Sequence, residues 1–171
     1  MQTRVAGFWL RLFSYTGVRC EATSCATGCV IFNESHPTQK KQAMALITYI
    51  VEDSATIREN LIATLEEIAP VKVVGFAETE SEATRWLSVN NGDWQLAIVD
   101  LFLKEGSGLG VLRNCSNRQD YQKVVVLTNY ATQDIRDRCA ELGADAVFDK
   151  SNELDELLDY CRNVTISDLL H

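Results

Sequence analysis

Beyond residue 44, short apolar runs alternate regularly with segments of helical periodicity. The apolar runs begin near residues 46, 71, 96, 124 and 146. In the segment after the last run, the apolar residues at helical spacing are Leu154, Leu157, Leu158 and Cys161. Nearly continuous apolar strands that alternate with amphipathic helices indicate a parallel sheet covered on both faces. Because crossovers between parallel strands are right-handed, we predict a doubly wound five-stranded α/β fold.

Capping residues indicate where three of the predicted helices begin. Thr79 and Glu82 have the spacing of a capping box, in which each side chain satisfies a backbone N–H of the first turn. Ser54 precedes the first helical segment and Ser151 precedes the last. We expect both serines to act as N-caps, because a serine hydroxyl can accept a hydrogen bond from the first helical turn.

The first 43 residues differ from the rest in charge and in pattern. They hold five Lys and Arg against two acids, whereas residues 44–171 hold eleven against twenty-two. We predict a poorly structured extension over residues 1–43, either disordered or translated from a mis-assigned start, and a folded domain over residues 44–171. An acidic domain disfavours nucleic-acid binding, which needs clustered cations. No apolar run is long enough to cross a membrane.

Cysteine usage indicates a reduced, cytoplasmic protein. The spacing of Cys20, Cys25 and Cys29 resembles part of a metal site, but no fourth cysteine or suitably placed histidine follows, so metal binding there is disfavoured. The other three cysteines stand among apolar residues and are expected to be buried free thiols: Cys115, Cys139 and Cys161.

Chemically active residues stand where four of the five predicted strands end. These residues are Glu52, Asp53, Asp100, Thr128 and Lys150. The carboxyl ends of parallel strands lie at one edge of the sheet, so we expect these groups to converge there. Clustered carboxylates favour a hard divalent cation such as Mg²⁺. A lysine ammonium and a threonine hydroxyl can bind phosphoryl oxygens, and a carboxylate between metal and lysine can accept a phosphoryl group.

With these residues, the chain from 45 to 166 resembles a response-regulator receiver domain of two-component signalling. The matching motifs are Val51-Glu52-Asp53-Ser54, Val99-Asp100-Leu101, Gly106-Ser107-Gly108-Leu109, Val126-Leu127-Thr128 and Phe148-Asp149-Lys150. The resemblance implies strand order 2-1-3-4-5 with helices on both faces.

The resemblance also assigns roles. It implies that Asp100 is the phosphoacceptor and that Thr128 and Lys150 bind the phosphoryl group. It implies that Mg²⁺ is held by Glu52, Asp53, Asp100 and the backbone carbonyl of Phe102. The protein would then be a phosphoacceptor that assists its own phosphorylation and dephosphorylation, not an enzyme acting on a separate substrate.

Three positions depart from the family pattern. Ser151 follows the lysine where proline is common, and Asn129 stands where a small residue is usual. Val147 occupies the position of the usual switch aromatic, and Phe148, one place later, is expected to face the opposite side of the sheet.

As to function, we expect a single-domain response regulator that receives its phosphoryl group from a sensor histidine kinase or a histidine phosphotransfer protein. Its output would be a contact with a downstream protein, with no direct DNA binding and no membrane association. The charges of Asp134, Arg136, Asp137 and Arg138 are expected to form a solvated helix face, with a partner surface as the alternative. A non-phosphorylated interaction module of the same fold is the other functional alternative.

Two further classes are disfavoured by the acidic residues. A flavodoxin-like cofactor binder needs hydroxyls and amides after its first strand, where Glu52 and Asp53 would repel a phosphate. A haloacid-dehalogenase-type phosphatase would need a second aspartate two residues after the nucleophile, where this chain has Phe102.

We predict that residues 1–43 are dispensable for folding. A chain that starts at Met44 should match the full chain in melting temperature and in its rate of phosphorylation, because the periodic pattern begins there. Calorimetry and acetyl phosphate labelling of both forms provide the measurement. A loss of several degrees would show that the extension stabilises the domain.

Overall fold

The structure is a computed structural model that describes residues 45–164. Within this part the chain forms five strands and five helices in alternation. The strands are β1 (Leu46–Val51), β2 (Val71–Ala77), β3 (Leu96–Val99), β4 (Lys123–Thr128) and β5 (Ala146–Asp149). The helices are α1 (Ala55–Ile68), α2 (Glu80–Val89), α3 (Gly108–Asn114), α4 (Gln133–Glu141) and α5 (Leu154–Asn163). The predicted strand starts agree with these bounds to within one residue.

The strands form a single parallel sheet in the order β2-β1-β3-β4-β5. One apolar core lies between the sheet and helices α1 and α5, and it includes Ile50, Leu65 and Leu157. The second core lies on the other face, under α2, α3 and α4, and it includes Val99 and Val111. The predicted doubly wound fold and strand order are therefore confirmed.

The register of the sheet brings the predicted site residues to one edge. Val51 pairs with Val99, and Val99 pairs with Val126. On the far side of β4, Thr128 pairs with Asp149. The residues that follow β1, β3 and β5 therefore lie at the same level as the end of β4.

The capping prediction at α2 is confirmed with one difference. The hydroxyl of Thr79 accepts a hydrogen bond from the backbone N–H of Glu82 at 3.3 Å. The carboxylate of Glu82 accepts from the N–H of Glu78, one residue before the cap, at 3.3 Å. The two side chains together still satisfy two backbone donors at the start of the helix.

The capping prediction for Ser151 is wrong. Helix α5 begins at Leu154, and its N-cap position is Glu153. The carboxylate of Asp149 accepts from the N–H groups of Ser151 and Asn152, at 2.8 and 3.2 Å, and closes a turn before the helix can start. Ser54 does occupy the N-cap position of α1, but its side chain makes no capping hydrogen bond.

Phe148 and Val147 of β5 face opposite sides of the sheet, as predicted. Phe148 lies in the core beneath α1 and α5, where its ring contacts that of Tyr160 edge-on at 5.8 Å between centroids. Val147 packs against the opposite core. The aromatic side chain of this strand therefore does not lie on the α4 side.

The three cysteines within the described residues are buried free thiols, as predicted. Burial raises the pKa of the Cys115 thiol to about 11 and that of Cys161 to about 12. These thiols are therefore protonated and behave as small apolar side chains.

Among the residues that the structure describes, no helix has the length and apolar character to cross a membrane. The predictions for residues 1–43, including those for Cys20, Cys25 and Cys29, lie outside the described residues and stay predictions.

Candidate functional site

Three carboxylates meet at the carboxyl edge of the sheet. Glu52 and Asp53 follow β1, and Asp100 follows the neighbouring strand β3. One oxygen from each carboxylate lies within 4.8 Å of the others, with Glu52 and Asp100 buried and Asp53 half-buried. Hard oxygen donors at this separation suit Mg²⁺ or Ca²⁺, so the donor set fits the predicted metal.

Lys150 is the cation of this cluster. Its Nζ lies 2.5 Å from Glu52 Oε2 and 2.7 Å from Asp100 Oδ2. The Lys150 side chain is only 9% exposed, so these contacts are poorly screened by solvent. Lys150 thus pairs with two of the three carboxylates, and Asp53 is the third. When all four side chains are ionised, three negative charges and one positive charge give a net charge of about −2.

Backbone contacts hold Asp100 in place. Its N–H donates to the carbonyl of Val51 at 2.9 Å, which continues the pairing of β1 with β3. Its carboxylate Oδ1 accepts from the N–H of Phe102 at 3.4 Å, while Oδ2 contacts Lys150. Each carboxylate oxygen of Asp100, the predicted phosphoacceptor, therefore accepts one hydrogen bond, which fixes the orientation of the side chain.

Thr128 is fully buried at the end of β4. Its Oγ1 accepts from the N–H of Tyr130 at 3.4 Å, and its carbonyl accepts from the N–H of Lys150 at 3.0 Å. The backbone thus joins two residues that the sequence analysis assigned to phosphoryl binding. The structure brings all the predicted side chains to one edge of the sheet.

Comparison with known proteins decides the family. The family model for the response regulator receiver domain matches residues 48–162, which is most of the chain. The chain belongs to the response regulator receiver domain family. Receiver domains generally bind Mg²⁺ and interact with histidine kinases or histidine phosphotransfer proteins.

The curated relatives are longer than the matched domain. Response regulator UvrY of Escherichia coli K12 is 24% identical over 115 residues, which cover 67% of this chain and 52% of that protein. The chain therefore spans about half the length of the curated relatives it matches.

Solved structures share the fold. The response regulator domain of Thermotoga maritima CheB has a TM-score of 0.63 at 20% identity, covering 70% of this chain and 96% of that one. The signal receiver domain of a Luxo repressor protein from Vibrio parahaemolyticus has a TM-score of 0.62 at 21% identity, covering 74% and 98%. A response regulator protein from Burkholderia pseudomallei, with a phosphorylated aspartic acid, calcium and citrate, has a TM-score of 0.58 at 22% identity, covering 73% and 71%.

Arg58 supports this receiver site and was missed by the sequence analysis. It is 6% exposed, and its guanidinium donates to the backbone carbonyl of Glu52 at 2.8 Å. It also pairs with Glu78 at 3.2 Å and lies over the ring of Phe76 at 4.1 Å. These contacts fix the turn that presents Glu52. Its spacing of three residues from Leu61 places it on the same helix face, but that spacing does not identify its partners.

Arg136 lies in α4 and was expected on a solvated helix face, and that prediction is wrong for this residue. Its guanidinium donates to the carbonyls of Ala131 and Val147. It also donates to both carboxylate oxygens of Glu153, at 2.9 and 2.7 Å, and Glu153 accepts from the N–H of Asp149. The hydrogen bond from Arg136 holds the pKa of the Glu153 carboxyl below its ordinary value. Arg136 therefore ties α4 to β5 and to the turn before α5.

Two exposed aromatic rings lie on the loops that follow β3 and β4. Phe102 is 57% exposed and Tyr130 is 61% exposed. Their ring centroids are 5.0 Å apart at an interplanar angle of 60°. Each ring lies two positions after a predicted site residue, Asp100 or Thr128, so the pair joins the loops that follow β3 and β4.

The acidic cluster predicts that Asp53→Asn stabilises the metal-free receiver. Asp53 is repelled by the other three side chains of the cluster, whose net charge is −1, and removing its charge relieves this repulsion, a gain of about 1 kcal/mol at an effective dielectric constant between those of water and protein. This exceeds the few tenths of a kcal/mol that Asp53 contributes near the N-terminus of α1. We expect the melting temperature in a chelating buffer to rise by about 3–5 °C.

The matched control is Asp120→Asn, which removes an exposed carboxylate from the loop before β4. Its melting temperature should stay within about 1 °C of that of the wild type. An Asp53→Asn transition at or below the wild-type temperature would contradict the role of repulsion in this cluster.

Proposed function

We propose that this receiver domain accepts a phosphoryl group on Asp100 from a phosphohistidine of a sensor histidine kinase or histidine phosphotransfer protein. The observation that carries the proposal is the contact of Lys150 Nζ with Asp100, 2.7 Å long, beside the carboxylates of Glu52 and Asp53. The phosphorylated aspartic acid and calcium ion of the Burkholderia pseudomallei relative support the same chemistry.

In the proposed transfer, a carboxylate oxygen of Asp100 attacks the phosphorus atom of the phosphohistidine. An O–P bond forms, the P–N bond breaks, and its electron pair returns to the imidazole nitrogen. The product on this chain is an acyl phosphate. A carboxylate nucleophile carries no hydroxyl proton that a separate base would have to remove before the attack.

The charge of the phosphoryl group is balanced by residues at the same edge. Glu52, Asp53, Asp100 and the backbone carbonyl of Phe102 would hold Mg²⁺, which supplies positive charge against the phosphoryl oxygens. Lys150 would exchange its contact with Asp100 for one with a phosphoryl oxygen. Thr128 Oγ1 already accepts from Tyr130 N–H, which leaves the hydroxyl proton for donation to another phosphoryl oxygen.

We further propose a regulator that works through protein contacts in the cytoplasm and is not itself an enzyme. The excess of acids over basic residues in 44–171 opposes contact between this domain and the phosphates of DNA or of a membrane. The free thiols within the described residues suit a reducing compartment. The alternative is an interaction module of the same fold that is never phosphorylated.

Phosphorylation is predicted to fall on Asp100 and to need Mg²⁺. Incubation of the full chain with acetyl phosphate and Mg²⁺, followed by intact-mass measurement, should give one phosphoryl increment. Asp100→Asn should remove the increment because the amide nitrogen and oxygen are poor nucleophiles. Asp120→Asn, remote from the cluster, serves as the control and should keep it.

An increment that persists in Asp100→Asn would overturn the acceptor assignment. An increment that persists in EDTA would overturn the metal requirement. A wild-type protein that gains no increment under any condition would favour the non-phosphorylated module.

The rings of Phe102 and Tyr130 are predicted to slow hydrolysis of the acyl phosphate. The two rings contact each other on the loops that follow Asp100 and Thr128, from which they can restrict the approach of the attacking water. Replacing both with serine should shorten the phosphorylated lifetime several-fold, as followed by the decay of the mass increment. Val89→Ser, at a position 78% exposed on α2, should leave the lifetime unchanged. An unchanged or longer lifetime in the double variant refutes the shielding.

A further inference from the structure

Glu80 lies outside the acidic cluster yet contacts the loop that leads away from Asp100. It is the first residue of α2, and its Oε2 accepts from the N–H of Ser107 at 2.8 Å. Its own N–H donates to the carbonyl of Glu105 at 3.1 Å. Thr79, the residue before it, forms an isolated bridge with Glu105. The start of α2 is thus joined to the β3–α3 loop through both side chain and backbone.

Two glycines make room for the Glu80 side chain. A Cβ at Gly106, where φ is +83°, would lie 2.4 Å from the Cβ of Glu80. A Cβ at Gly110, inside α3, would lie 2.0 Å from Glu80 Oε1. Glycine is a poorer helix former than alanine. Helix α3 therefore carries a residue that weakens it at the point where it meets this carboxylate.

Backbone contacts connect Glu80 to the acceptor. Ser107, which donates to Glu80, forms an antiparallel bridge with Phe102. The N–H of Phe102 in turn donates to Asp100 Oδ1 at 3.4 Å. The loop is closed at its base by a hydrogen bond from the N–H of Gly108 to the carbonyl of Leu101 at 3.0 Å. A displacement of Ser107 is therefore transmitted to Phe102, whose carbonyl is the backbone ligand of the proposed metal site.

We propose that Glu80 is a positioning residue that holds the β3–α3 loop in the form in which the Phe102 carbonyl can bind Mg²⁺. This inference rests on the metal site of the proposed function. A carboxylate suits the role because a hydrogen bond from a backbone N–H to a charged acceptor is shorter and stronger than one to a neutral acceptor. Within the described residues, the hydrogen bonds between Glu80 and the β3–α3 loop go to Ser107 and Glu105, and no ion pair joins it to Lys150, so it acts through the loop.

The test uses the full chain and two measurements. Backbone amide hydrogen exchange of Ser107 and Phe102 in metal-free protein reports on the loop, and calorimetric titration with Mg²⁺ gives the dissociation constant. Loss of a hydrogen bond to a charged acceptor is worth about 1.5 kcal/mol, which corresponds to roughly tenfold. Glu80→Ala should therefore speed exchange at Ser107 and raise the Mg²⁺ dissociation constant, each by about tenfold.

Two companion variants separate positioning from general stability. Glu80→Gln keeps an acceptor oxygen and should stay within about threefold of the wild type in both measurements. Glu82→Ala removes a carboxylate at the start of the same helix that accepts a hydrogen bond from the N–H of Glu78. This variant should have a lower melting temperature and an unchanged Mg²⁺ dissociation constant. Should Glu80→Ala fail to fold, Gly110→Ala, whose methyl group displaces the Glu80 carboxylate, should raise the dissociation constant in the same way.

The outcomes are distinguishable. An unchanged Mg²⁺ dissociation constant in Glu80→Ala, with a wild type that binds Mg²⁺, overturns the positioning role and leaves the proposed function intact. A weakening of equal size in Glu82→Ala also overturns it, because general loosening of α2 would then be the cause. No binding of Mg²⁺ by the wild type contradicts the proposed metal site and the positioning role with it.

Discussion

The parallel pairing of β1 with β3 positions the three carboxylates of the site. It places Glu52 and Asp53 beside Asp100, although these residues are far apart in the sequence. The pairing is held by apolar side chains that are buried on both faces of the sheet, so its register cannot slip without exposing one of the two cores. The hydrophobic effect that forms the sheet therefore also brings like charges together.

The repulsion between these carboxylates is only partly balanced. Lys150, at the end of β5, reaches two of them from the other side of β4 and leaves excess negative charge at the edge. A bound cation would meet carboxylates that the sheet already holds in place, whereas Lys150 would have to exchange its contact with Asp100 for one with a bound phosphoryl group. The site thus stores unfavourable electrostatic energy that binding can relieve, an arrangement common where function and stability compete.

Three charged side chains outside the cluster hold the turns around it. Arg58 binds the Glu52 carbonyl, Arg136 binds the Val147 carbonyl, and Glu80 binds the Ser107 N–H. Each hydrogen bond joins a helix to a loop or strand end that contributes to the site, and each uses a charged partner, which makes it stronger than a neutral bond. The rigid sheet sets the approximate position of the functional groups, and these contacts set the loops.

The order of the elements and the residues at the strand ends could be predicted from the sequence. The apolar runs and helical periods are local patterns, so the fold and the convergence of Glu52, Asp53, Asp100, Thr128 and Lys150 followed from general rules for parallel sheets. The capping at Thr79 and the burial of the cysteines were predictable for the same reason.

The partners of Arg58, Glu80 and Arg136 could not be predicted from the sequence. On a sequence, each is one charged residue in a helical segment, and solvation is the ordinary expectation for such residues. Their partners are backbone groups and side chains that come close only after the sheet has formed, such as Glu80 and Ser107, or Arg136 and Glu153. Ser151 failed as a cap for a related reason, because the Asp149 carboxylate took the N–H groups of the turn and delayed the helix. Competition for hydrogen-bond partners depends on three-dimensional distance, which local sequence patterns do not contain.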